Sequence, residues 1–218
     1  MTASITRHPA PDTLMSYAAG TLPEPLAAVM AAHIDLCPAC RAEVRDLELM
    51  GALLLADTRA TADQALPIPH RPPADAPLAG ARPAGRIGPA DKLPAPIARH
   101  FGLTFETIPW RRLGPGLWHH RLPLSPGVVG DLRLIRVGPG YSMPEHGHGG
   151  AELTLVLHGA FCDATGHYAQ GDVQNLDTET EHQPVADPVT GCICLFGIEQ
   201  PTRFKNRLLR LLQPLTGM

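Results

Sequence analysis

Residues 140–159 read GYSMPEHGHGGAELTLVLHG, and their reading decides the fold of the chain behind them. His146 and His148 are two residues apart, and on an extended chain such side chains point to the same face, so both imidazoles can converge on one point beside a sheet. From Glu152 to His158, Leu153, Leu155 and Leu157 alternate with Glu152, Thr154, Val156 and His158. This period of two predicts a strand with the leucines packed on one face and Glu152 turned to the other. A carboxylate and two imidazoles are thereby expected to share a pocket. His182, which follows a Gly171-Asp172 turn expected to begin another strand, is the best candidate for a fourth ligand. Three imidazoles and one carboxylate suit Zn, Fe, Mn or Ni.

The spacing resembles the first motif of the cupin family, Gly-x5-His-x-His-x3-Glu-x6-Gly, with Gly140, His146, His148, Glu152 and Gly159 at its fixed positions. The second cupin motif, Gly-x5-Pro-x-Gly-x2-His-x3-Asn, is half kept: Gly171 and His182 fit, while Asp177, Glu179 and Ala186 replace the usual Pro, Gly and Asn. The resemblance implies an all-β jelly-roll barrel. Strands are expected at Trp110 to Leu113, Leu117 to Leu122, Asp131 to Val137, Gln183 to Ala186 and Cys192 to Ile198. Gly and Pro turns separate the first of these, and such short, evenly spaced strands suit a barrel or jelly roll. A short helix or terminal strand is expected from Arg207 to Leu212. Cys192 and Cys194 share a strand face. Cysteines so placed are usually small buried apolar residues; the functional alternative is that they line the pocket and are oxidised.

Upstream the pattern is helical. Asp12 is read as the N-cap of a first helix that stops at Gly20; a second begins at Pro23 to Pro25 and runs to Leu36. A third starts at Pro38 with Val44, Leu47, Met50, Leu53 and Leu54 as its apolar stripe. Across the junction lies His33-x3-Cys37-x2-Cys40. One imidazole and two thiolates at this spacing suit tetrahedral zinc, and His8, the only histidine upstream, is the expected fourth ligand. A helical unit of fewer than about 60 residues has a marginal core. Structural zinc supplies on the order of 10–16 kcal/mol of apparent binding free energy, comparable to the stability of a whole domain, roughly 5–15 kcal/mol.

This segment is similar to the zinc-containing anti-sigma domain, whose motif is His-x3-Cys-x2-Cys with a further histidine upstream. Its order ahead of a cupin motif resembles the ChrR-type anti-sigma factors. That resemblance implies a zinc-dependent regulator that occludes an extracytoplasmic-function sigma factor and responds to singlet oxygen or organic hydroperoxides through its cupin part. It also implies zinc in the barrel. The expected organisation is a helical unit at 1–58, a Pro-rich linker at 59–97 that lets the two units move relative to one another, and a cupin unit at 98–218. The fourth helix of such anti-sigma domains has only Ala60 to Ala65 to form from, and Leu66 to Ile97 holds too many prolines for a regular element.

A net charge of -3 over 218 residues speaks against direct nucleic-acid binding through a basic surface. No apolar run is long enough to cross a bilayer and the N-terminus lacks a signal-peptide pattern, so the chain is read as cytoplasmic. Five cysteines without an export signal favour metal or redox chemistry over a disulfide framework. A homo-oligomer formed through the barrel's outer leucines is also possible on this reading. The competing function is a cupin metalloenzyme, such as an iron dioxygenase, with the helices as an accessory module; the ligand set supplies no obvious general base for it.

Overall fold

A computed structural model describes residues 5–61, 92–147, 149–178, 180–200 and 203–204. Its helices are α1 (Pro11–Ala18), α2 (Glu24–Leu36), α3 (Pro38–Thr61) and α4 (Ala95–Phe101). The first three begin where their prolines direct, because a proline in the first turn has no N–H to leave unsatisfied. Asp12 is not a cap: the N-cap of α1 is Ala10, and the Asp12 carboxylate accepts the Thr13 N–H inside the first turn. Most of the expected linker and the segment from Arg207 to Leu212 lie outside the described residues. Where the linker was expected to stay irregular up to Ile97, α4 already begins at Ala95. Pro94 is its N-cap and Pro96 falls in its first turn, the places in a helix that tolerate proline. The Asp35 carboxylate accepts the Ala95 N–H at 2.8 Å and so ties α4 to the end of α2.

Among the described residues ten strands follow: β1 (Arg111–Gly114), β2 (Leu117–Arg121), β3 (Asp131–Val137), β4 (His146–Gly147), β5 (Glu152–Asp163), β6 (Gly166–Ala169), β7 (Val173–Leu176), β8 (Val185–Ala186), β9 (Cys192–Ile198) and β10 (Arg203–Phe204). The main sheet is antiparallel in the order β1-β2-β3-β9-β5-β6, with β7 and β8 also on β5 and a separate β4-β10 ribbon. The 12-residue β5 organises it. Its first half lies between β9 and β7, and its second half pairs with β6 and β8. This antiparallel, strand-rich architecture is the kind that the family resemblance implied.

The two sheet faces build two apolar clusters. The inner one gathers Ile135, Val137, Val156, Phe161, Cys192, Cys194 and Phe196. The outer one gathers Leu132, Leu134, Leu153, Leu155, Leu157 and Leu195 with Leu26, Val29 and Met30 of α2. Those three helix residues stand at i, i+3 and i+4, a single helical face, and each is at most 2% exposed. Helices and sheet therefore share one core instead of moving independently. The physical reason is the leucine row of β5: left bare it would be an extended apolar strip, and α2 removes it from water. The same contact takes those leucines out of any dimer interface.

Only the first half of α3 follows its expected stripe. Val44 is buried and Leu47 partly so, whereas Met50, Leu53 and Leu54 are 57%, 64% and 63% exposed, because the helix runs past the unit it packs on.

Two candidate metal centres

The first centre lies where the N-terminal arm, α2 and the start of α3 meet. His8, His33, Cys37 and Cys40 each offer a ligand atom, all within 4.8 Å of one another. His33 Nε2 is 3.3 Å from Cys40 Sγ, and His8 Nδ1 is 3.6 Å and 3.3 Å from the sulfurs of Cys37 and Cys40. The local cause is the break at Cys37. Its extended backbone ends α2, and Pro38 starts α3 at once, so His33 and Cys40 approach from two helices. His33 Nδ1 is 3.1 Å from the Gly171 carbonyl, which only an N–H can satisfy; Nε2 is thereby left as a lone pair aimed at the sulfurs. Burial pushes the His33 pKa down to about 4, keeping the ring neutral as a ligand must be. Burial and the neighbouring Cys37 push the Cys40 thiol up to about 12. A cation reverses that preference, since thiolates crowded together in a dry site need positive charge between them. Two sulfurs and two nitrogens fit tetrahedral zinc.

The second centre lies inside the sheet. His146, Glu152 and His182 offer ligand atoms within 4.8 Å of one another, all buried. His148 lies outside the described residues. Glu152 faces inward as its strand parity predicted, with Thr154 Oγ1 donating to its Oε1 at 3.1 Å. His146 Nδ1 is 2.8 Å from the Pro144 carbonyl, and His182 Nδ1 is 2.8 Å from Asp163 Oδ2. Both acceptors take an N–H, so in neutral rings the two Nε2 atoms would carry lone pairs, and they face each other at 3.1 Å, with Glu152 Oε1 3.9 Å from His182 Nε2. Converging lone pairs repel unless a cation sits among them, and this donor set fits one.

Sequence reading missed Asp163. By alternation from Glu152 it belongs on the outer face, but a β-bulge between Val156 and His158 shifts the register by one and turns Phe161 and Asp163 inward. Burial raises the Asp163 pKa, but hydrogen bonds from His182, Thr165 and Gln174 outweigh it and hold the carboxyl well below the usual range. The nearby cavity, of about 40 Å³, is lined by Met143, Phe161, Gln174, Cys192, Cys194 and the three ligands among others. Cys192 and Cys194 do line it, with their sulfurs 3.6 Å apart. The hydrogen bond that the Cys194 thiol donates to Cys192, together with burial, pushes that thiol well above its ordinary range. His119, which has no ligand spacing in the sequence, is buried and hydrogen-bonded to Arg133, which also pairs with Asp131.

A helical unit with a Cys2His2 set is thus joined to a sheet that carries its own His2Glu cluster, a two-part organisation with two candidate metal centres. Residues 12–41 match the putative zinc-finger family and residues 98–201 the ChrR cupin-like domain. The chain is 39% identical over 210 residues to the anti-sigma-E factor ChrR of Cereibacter sphaeroides, spanning 95% of this chain and 97% of that protein. It also superposes on the crystal structure of Rhodobacter sphaeroides SigE in complex with the anti-sigma ChrR, with a TM-score of 0.70 and 36% identity over 89% of this chain and 99% of that one. The chain belongs to the ChrR family of anti-sigma factors. Among the described residues no helix is long and apolar enough to cross a membrane.

Proposed function

We propose that this chain is a zinc-dependent anti-sigma factor. Its helical unit holds an extracytoplasmic-function sigma factor inactive in the cytoplasm, and its metal-binding barrel receives the oxidative signal, singlet oxygen or an organic hydroperoxide, that releases it. The observation that carries this reading is the far half of α3. Leu49, Met50, Leu53, Leu54 and Leu55 are 57–64% exposed on a helix that outruns its own unit. An apolar patch of this kind on a soluble chain marks a protein interface, and the relative with this architecture is known in complex with SigE. Zinc held by His8, His33, Cys37 and Cys40 fixes the arm, α2 and the root of α3 together, which sets the direction in which the far half of α3 projects.

In the barrel, His146, His148, Glu152 and His182 would hold zinc, or Fe, Mn or Ni, whose charge would favour the thiolate form of Cys192 and Cys194. Those two thiols can give two electrons and two protons to an organic hydroperoxide, forming a disulfide, an alcohol and water. The sulfurs must close from 3.6 Å to about 2.05 Å, which pulls on β9. That strand carries α2 on its other face, so strain at the pocket reaches the helical unit. The metalloenzyme reading finds less support, because the relative with this two-part architecture is known as an anti-sigma factor in complex with SigE.

The test is titration of a purified sigma factor of this class with wild-type chain and with the Leu53→Asp/Leu54→Asp double variant. Binding should weaken at least about 100-fold in the variant, given that central apolar anchors carry most interface energy. Equal binding by both proteins would refute the assignment.

A further inference from the structure

The N-terminal arm is bound to the barrel by its backbone. The Thr6 and Arg7 N–H groups both donate to Asp172 Oδ1, at 2.7 and 2.9 Å, and the Arg7 carbonyl accepts the Val173 N–H at 3.0 Å. The Arg7 guanidinium lies over the Tyr168 ring, 5.8 Å from its centre. His8 is the next residue. One position before Asp172, the Gly171 carbonyl is the partner of His33 Nδ1. Gly171 has φ +91°, and a Cβ there would come within 2.6 Å of Ile5, so the turn is shaped to receive the arm. The second Asp172 oxygen accepts the Ala169 N–H at 3.0 Å, fixing the carboxylate within the turn, and Asp172 itself is 2% exposed.

We propose that Asp172 is a positioning residue of the zinc centre in the helical unit: the barrel turn Gly171-Asp172 orients His33 and seats His8, so zinc retention depends on the barrel. This rests on the reading of His8, His33, Cys37 and Cys40 as zinc ligands. Outer partners of this kind fix ring orientation, and their loss typically costs about 10–100-fold in metal affinity. Gln174, two residues beyond Asp172, donates to Asp163 at 2.8 Å, the carboxylate that holds His182. One short segment thus serves both centres.

The experiment uses the full chain loaded with Co(II). Sulfur-to-cobalt charge-transfer absorption reports only the centre containing Cys37 and Cys40, and its decay in excess chelator gives the release rate. Three variants are compared with wild type. Asp172→Ala removes the carboxylate, and Thr6→Pro removes both the N–H and the hydroxyl that Thr6 donates to it, without altering the barrel. Both should lose cobalt about 10–100-fold faster, with Asp172→Asn, which keeps an acceptor oxygen, in between. Wild-type release rates in either variant would overturn the proposal; in particular, fast release from Asp172→Ala with normal release from Thr6→Pro would mean that the carboxylate does not act by seating the arm. Absence of the sulfur bands from the wild type would instead overturn the zinc reading itself, whatever the outcome of sigma-factor binding.

Discussion

Replacing Gly197 with alanine should pry the helical unit off the barrel. Gly197 sits in β9 under the first turn of α2, and a Cβ there would lie 2.5 Å from the Pro25 carbonyl oxygen, 2.9 Å from its carbon and 2.9 Å from Val29 Cγ2. Ordinary contact at such a Cβ begins at 3.4 Å. Backbone is the obstacle, so no side-chain rotation relieves it, and α2 must retreat by somewhat under 1 Å along a face whose leucines are almost wholly buried. Overpacking of this degree costs about 1–3 kcal/mol. The internal control is Gly51→Ala. Nothing lies within 4 Å of a Cβ at that position of α3, and alanine in a helix interior is favoured over glycine by roughly 0.5–1 kcal/mol. Urea unfolding of the metal-loaded chain measures both. A lowered midpoint for Gly197→Ala and a raised one for Gly51→Ala are expected; a Gly197→Ala midpoint within experimental error of wild type would refute the shared core.

Other perturbations should separate the parts of the molecule. Removing zinc with a chelator, or making Cys37→Ser, should raise amide exchange in the arm and α1 while β9 stays protected and α2 remains docked by its apolar face, as exchange mass spectrometry can show; equal loss in α2 would mean that metal alone holds it. Asp163→Asn removes the charged partner of His182 and should weaken metal binding in the barrel about 10–100-fold, leaving the Cys-containing centre unchanged, as read by metal content after dialysis. His119 sets a pH dependence. Burial, then the charge of Arg133 with lesser help from Arg111 and His120, lowers its pKa to about 4 against the attraction of Asp131. Between the ordinary value of 6.5 and about 4 the unfolded chain therefore binds the extra proton, and stability falls as pH drops through that window. At about 1.4 kcal/mol per unit, the loss approaches 3 kcal/mol at most, and His119→Gln should lose correspondingly less between pH 7 and 4 in metal-free protein.

Much of this molecule is legible in the sequence because its signals are local. Ligand spacings pick out both candidate clusters, apart from His148, which lies outside the described residues, and alternation along Glu152 to Leu157 assigns the inner and outer faces. β3 and β9 span the residues their composition marks out. What escaped the reading depends on longer range or on a break of period. The bulge in β5 inverts parity and hides Asp163. The cover for the outer leucines comes from α2, more than a hundred residues upstream, so those leucines look available for self-association when they are already occupied. His119 carries no ligand spacing, and only the pairing of β2 with β3 reveals its partner Arg133. The prolines at 94 and 96 signal irregular chain by count, yet their positions in the first turn make them helix starters.

The most direct test of the central claim is the elution of an extracytoplasmic-function sigma factor mixed with this chain, run with zinc present and again after chelation. A one-to-one complex with zinc, dissociating when the metal at Cys37 and Cys40 is withdrawn, is the expected result. A sigma factor that elutes alone beside the zinc-loaded chain, or a complex indifferent to zinc, would contradict it.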